Sequence, residues 1–223
     1  KLLPKKRRIN MTDQITLKVF NDYVWPWCYL STGRIEKIKD EYSLKIELIH
    51  FPLHPETPEE GMSLKELFAG RDMDLEAMYT RMKSLMNAEG LEYGRRTHTY
   101  NSRLAQELGK WADEHTKKEN NYNAIHGALY KAYFVNSLNI GSKDILREIA
   151  AGIDLPKKEV EAVLFDRTHK NAVDADWAKS KEYGVTGVPT FIAGSYKLVG
   201  AQPYEMLQQM IDKTNNSMTE NLQ

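Results

Sequence analysis

The sequence predicts an α/β fold in which one sheet is split by a large, mostly helical insertion. Two alternating apolar–polar runs flank a helical pattern near the N-terminus, and two short strand-like runs precede a helical pattern near the C-terminus. Between them, the apolar residues recur almost entirely at three- and four-residue spacing. A period of two marks half-buried strands and a period near 3.6 marks amphipathic helices.

Residues 15–20, Ile-Thr-Leu-Lys-Val-Phe, alternate and are rich in β-branched side chains, which predicts the first strand. Pro26 sits where a first-turn proline pre-sets φ, and Tyr29, Leu30, Ile35 and Ile38 follow at helical spacing, so a helix is expected from near Trp27 to about Asp40. Residues 44–51 alternate again, completing a βαβ unit with parallel strands. Pro52, Pro55, Pro58 and Gly61 interrupt the pattern. From Ser63 to about Leu155 four or five helices are expected, separated near Gly70, Gly90–Gly94, Asn120–Asn121 and Gly141, with a further pair at 156–165 and 170–183. Thr190–Ala193 and Lys197–Val199, joined through Gly194-Ser195, read as a hairpin, and a last helix follows Pro203. A βαβ half and a ββα half separated in this way predict a thioredoxin-like fold carrying an inserted all-helical domain. The expected divisions are a basic leader at 1–13, the first thioredoxin-like segment at 14–62, the insertion at 63–155, helices with the second thioredoxin-like segment at 156–214, and a tail at 215–223.

The 223 residues carry 31 Lys+Arg against 31 Asp+Glu. Five of those cations fall within the first ten residues, and setting them aside leaves 26 basic against 31 acidic residues, a net −5. An acidic body argues against a nucleic-acid partner, whose footprint is a folded basic patch. No apolar run reaches the roughly 18 residues needed to span a bilayer, so no membrane span is expected. The single cysteine, Cys28, excludes an intramolecular disulfide and a thiolate zinc site, and a lone free thiol fits a cytoplasmic setting.

Chemistry concentrates at two places. In Asp22-Tyr23-Val24-Trp25-Pro26-Trp27-Cys28-Tyr29-Leu30, Cys28 falls in the first turn of the expected helix, where unpaired N–H groups and the helix dipole stabilise a thiolate. A small buried apolar side chain is an equally open reading of that cysteine. In Gly187-Val188-Pro189-Thr190-Phe191, a proline directly before a strand tolerates the cis form at a cost of only about 0.5–1 kcal/mol. A cis bond there would turn the backbone of Val188 outward to pair with an extended peptide or with glutathione, whereas a trans proline would simply start an edge strand.

Trp25-Pro26-Trp27-Cys28-Tyr29 resembles the C-P-W-C-Y active-site segment of DsbA-like thioredoxin-fold proteins of the FrnE type, and Gly187–Phe191 resembles their cis-proline loop. The resemblance extends to Leu53–Gly61, Asn101–Ala105 with Trp111-Ala112, and Ala128–Phe134 with Ile140-Gly141, covering most of residues 14–212. It implies a DsbA-like fold with the active site where the helical domain meets the thioredoxin core. It also implies thiol–disulfide oxidoreductase activity. Trp25, however, stands where that family has its exposed attacking thiol, and only the second cysteine survives, as Cys28. Because exchange runs through a mixed disulfide resolved by a partner thiol, such a site is monothiol. The same fold resembles 2-hydroxychromene-2-carboxylate isomerases and kappa-class glutathione transferases, which place a serine at the Trp25 position. An indole, which only donates, cannot replace it.

The expected site is therefore Cys28 as the catalytic thiol, with Trp25, Pro26, Trp27, Val188 and Pro189 binding substrate. The expected partner is a thiol or disulfide substrate, peptide or small molecule, and a homodimer is admitted. No cofactor is expected beyond glutathione as a co-substrate. The alternatives are a glutathione-dependent isomerase or transferase and a non-catalytic peptide- or ligand-binding homologue. No metal site is expected, since His50 and His54 straddle a strand end and Pro52 rather than sharing a helix face. His98, His115, His126 and His169 are expected as surface or boundary residues of helices, Ser31 and Thr32 as ordinary helix residues, and the stretch Met73–Met86 as core of the insertion or lining of an apolar groove.

Overall fold

A computed structural model describes residues 14–115 and 124–220; the expected leader at 1–13, the helix break at Asn120–Asn121 and the last three residues of the expected tail lie outside them. Strand β1 (Thr16–Asn21), helix α1 (Pro26–Tyr42) and strand β2 (Lys45–His50) form the first unit, with β1 and β2 parallel from Thr16↔Lys45 to Asn21↔His50. Strands β5 (Thr190–Ala193) and β6 (Tyr196–Val199) and helix α9 (Tyr204–Glu220) form the second. Their strands join in one sheet of order β2-β1-β5-β6, β5 antiparallel to both neighbours. The two halves are thus neighbours in space.

The period-two pattern of β1 sends its side chains to two cores. Leu17 and Val19 pack with Ile35 and Ile38 of α1, Phe191 and Ala193 of β5, and Leu207 and Ile211 of α9 on one face. Phe20 joins the larger core on the other face, which the inserted helices supply. Each fully buried side chain of this size contributes about 1.5–3 kcal/mol of transfer free energy, so the sheet is fixed between helical layers. Helix α1 starts at Pro26 in its first turn and stops where Ser43 adopts a left-handed conformation, φ 51°.

Between β2 and β5 lie strand β3 (Met62–Ser63), α2 (Leu64–Leu67), α3 (Leu75–Ala88), strand β4 (His98–Thr99), α4 (Arg103–His115), α5 (Ala124–Phe134), α6 (Lys143–Ala151), α7 (Lys157–Phe165) and α8 (Lys170–Glu182). Two expectations change. The insertion contains a small antiparallel ladder, Met62↔Thr99 and Ser63↔His98, whose two-residue strands are too short to show periodicity, so His98 lies on a strand rather than a helix. The last helix runs to Glu220, past the expected boundary at 214. Of the methionine stretch, Met82 and Met86 are buried in the core and Met73 and Met78 are exposed. Among the described residues no helix is long and apolar enough to cross a membrane, and no group of three or more His, Cys, Asp or Glu is placed to hold a metal ion.

Candidate functional site

The β1–β5 register, with Phe20 opposite Thr190, sets the end of β1 beside the start of β5. The segment leading into α1 and the loop before β5 therefore meet at one end of the sheet. The Val188–Pro189 bond is cis. Val188 is 7% exposed and belongs to the same core cluster as Cys28, against which Trp25 and Trp27 also pack. The Pro189 carbonyl accepts from the Gly200 amide at 2.7 Å, and Thr190 Oγ1 donates to the Gly187 carbonyl at 2.7 Å, which ties the loop to the hairpin.

Trp25 occupies the cap position of α1 in an extended conformation, with no side chain capping the helix. Its carbonyl accepts from the Cys28 amide at 3.0 Å, so Cys28 is in the first turn as expected. The side chain points inward: Cys28 is 3% exposed, and burial, with the Asp22 carboxylate beside it, pushes its thiol well above the usual range. Ser31 and Thr32 donate to the carbonyls of Trp27 and Tyr29 one turn back and so are occupied within their own helix.

Beneath the helix start lies a buried polar group that no sequence pattern marks. Asp22 accepts hydrogen bonds from the amides of Val24 and Leu53, each at 3.1 Å, and from Gln106 Nε2 at 3.2 Å. These and Ser102 stabilise the carboxylate, but burial outweighs them and raises Asp22 to about 6. Asn21 Nδ2 donates to Tyr130 Oη at 3.2 Å, while Asn21 Oδ1 and both ring nitrogens of His50 are buried without a partner among the described residues.

Next to it runs a chain of three groups. The Tyr23 hydroxyl lies 2.6 Å from His126 Nδ1, and His126 Nε2 lies 2.8 Å from Asp113 Oδ1. A neutral imidazole protonated at Nε2 satisfies both contacts, accepting from Tyr23 and donating to Asp113. His126, a boundary residue as expected, fastens the segment before Trp25 to α4 and α5. Space for the hydroxyl comes from Gly109, where a Cβ would overlap Tyr23 Oη. A glycine inside a helix is the one signal in the sequence that points to this close approach.

The raised Asp22 has a measurable consequence. The folded protein binds this proton more tightly than the unfolded chain, so the stability it confers is complete below pH 3.8 and is lost as pH rises through about 6. That loss amounts to about 3 kcal/mol. Urea denaturation from pH 4 to pH 7 is expected to show wild type losing most of this amount relative to Asp22→Asn; parallel curves would contradict the assignment.

The fold has counterparts in known proteins. Residues 16–212 match the DSBA-like thioredoxin domain family. The chain belongs to that family. YwbO of Bacillus subtilis (strain 168) is 26% identical over 202 residues, spanning 88% of this chain and 96% of YwbO. The crystal structure of the "probable DsbA oxidoreductase SCO1869" of Streptomyces coelicolor is similar, with a TM-score of 0.79 and 27% identity over 90% of each chain. The structure of 2-hydroxychromene-2-carboxylate isomerase shares the fold at a TM-score of 0.71 and 17% identity, covering 92% of this chain and 98% of that one. This DSBA-like chain thus has thiol–disulfide oxidoreductase and isomerase neighbours.

Proposed function

We propose that this DSBA-like protein is a monothiol member of its family. In this reading it binds a thiol-linked ligand, an extended peptide or glutathione, between the α1 start and the Val188–Pro189 loop, and does not run a dithiol cycle. The observation that carries the reading is the pairing of Trp25 at the helix cap with Cys28 at 3% exposure. A thiolate is the attacking species, and a buried thiol with a raised pKa supplies little of it near neutral pH. Trp25 and Trp27 offer aromatic faces for an apolar or planar ligand. Val188 precedes the β5 ladder, which begins at Thr190, and in this reading its peptide groups pair with the ligand as an added strand would.

The test pairs turnover with binding. Purified protein is expected to reduce insulin no faster than dithiothreitol alone, and equally so for Cys28→Ala, while glutathione or a short extended peptide perturbs tryptophan fluorescence saturably. Catalysis abolished by Cys28→Ala would restore Cys28 as the working thiol and overturn the proposal, and so would the absence of any binding.

A further inference from the structure

One strongly basic side chain near the helix start pairs with no acid among the described residues. Arg96, in the loop between α3 and β4, is largely buried, donates from Nη1 to Tyr133 Oη, and lies with its guanidinium carbon 5.1 Å from the Tyr133 ring centre and 5.2 Å from that of Phe134. Its Nε is buried without a hydrogen-bond partner among the described residues. The contrast with other part-buried arginines is sharp. Arg34 is paired with Glu89, and Arg103 with Glu107 and Asp174, whereas no carboxylate pairs with Arg96 among the described residues. Tyrosine hydroxyls and ring faces hold the guanidinium in its charged form despite its burial, but none of them is a counter-charge.

Close backbone packing enforces this placement. The Gly94 amide donates to the Phe134 carbonyl at 2.8 Å, and a Cβ on Gly94 would overlap the Val135 carbonyl oxygen, so only glycine lets this loop reach α5. Phe134 carries Arg96 against one side and stacks on Tyr29, the residue after Cys28, with ring centres 5.3 Å apart. The guanidinium is therefore one ring removed from the start of α1. Arg71 and Arg96 both act electrostatically on His54, in the loop whose Leu53 amide is held by Asp22. Glu56 is the acid paired with His54, 3.9 Å away.

We infer that Arg96 is the seat for a carboxylate of the bound ligand, its planar fork completing there the ion pair that the chain itself does not supply. A guanidinium suits a carboxylate because it donates two parallel N–H bonds. The carboxylate belongs either to a peptide C-terminus or to a small molecule such as glutathione. This inference rests on the proposed ligand-binding site, and the experiment separates the two.

Thermal melts are compared in sodium succinate and in sodium chloride of equal ionic strength, and again with glutathione, its diethyl ester, and a short peptide with a free or amidated C-terminus. Succinate at ten times its dissociation constant is expected to raise the Tm of wild type by about 3 °C over chloride, and to leave Arg96→Met unmoved. Among the ligands, whichever free acid binds is expected to do so about tenfold more tightly than its ester or amide in wild type and equally in Arg96→Met. Preference for the acid form of glutathione or of the peptide identifies the source. Should Arg96→Met melt too low to compare, Arg96→Lys, which keeps the charge and loses the fork, is expected to retain less than half of the shift. A succinate effect without glutathione or peptide binding keeps the Arg96 seat and overturns the proposed ligand class. No effect of any carboxylate, or an equal effect in Arg96→Met, overturns the inference.

Discussion

Trp25→Cys is expected to give this protein an insulin-reductase activity about tenfold or more above the background expected of wild type. The substitution recreates a C-P-W-C sequence at residues 25–28. The reason lies in where each sulfur falls. Residue 25 is the cap of α1 and residue 28 is inside the first turn, so a thiol at 25 meets the positive end of the helix with solvent at hand, while Cys28 lies behind it. The helix terminus favours an anion at its cap and lowers the pKa of a thiol placed there. Residues three apart at a helix start are near enough for a disulfide without rebuilding the backbone. A mixed disulfide formed at residue 25 is then resolved by Cys28, which breaks the bond to substrate and releases it reduced, and dithiothreitol reduces the resulting 25–28 disulfide. Trp25→Ser, which opens the same space without sulfur, is expected to remain at background. The double variant Trp25→Cys/Cys28→Ala is expected to accumulate mixed disulfide without turnover. Equal activity of the cysteine and serine variants would show that the indole merely blocked access to Cys28.

Gly109→Ala is expected to carry a large stability cost for a single added methyl group. The new Cβ would overlap the Tyr23 hydroxyl and lie 3.3 Å from His126 Cε1. Tyr23 is fully buried, packed against His50 and Tyr130, and its hydroxyl is bound to His126, so the ring has no direction in which to withdraw. Overpacking of this kind costs about 1–3 kcal/mol, and breaking the buried hydroxyl–imidazole bond adds about 1–3 kcal/mol. A fall in Tm of about 5–15 °C follows for a domain of this size. Removing the hydroxyl relieves the clash, so Gly109→Ala is expected to cost less on a Tyr23→Phe background than alone, and the double-mutant cycle measures the difference. Strictly additive costs would place the strain elsewhere.

These two positions also show what could be read from the chain before its structure. Alternation at 15–20 and 44–51, the proline at 26, and the hairpin after Pro189 are local signals, and each led to an element within one or two residues of its observed bounds. The resemblance to the DsbA-like family implied that the Trp25–Cys28 segment and the Val188–Pro189 loop would be neighbours, and the β1–β5 register sets the two segments at one end of the sheet. The polar groups under the site were not. Tyr23 and His126 are separated by 103 residues, and Asp22 and Gln106 by 84. Periodicity places such residues on a face but cannot pair them across the insertion. The direction of the Cys28 side chain was open for the same reason: a first-turn position is compatible with both an exposed and an inward thiol, and the packing of Tyr130 and Asp22 around it settles on inward. Arg96 carries no local signature, since its distinction is a missing counter-charge.

Whether Cys28 is a buried, protonated thiol decides between a monothiol binding site and a working nucleophile, and titrating the native protein by thiolate absorbance near 240 nm measures this directly, with Cys28→Ala as the blank. The structure predicts no thiolate signal at pH 7 and an onset only above the ordinary cysteine range, with one equivalent reacting rapidly with a disulfide reagent only after unfolding. A full thiolate signal by pH 7, matched by rapid reaction of the native protein, would contradict it and make Cys28 an active nucleophile.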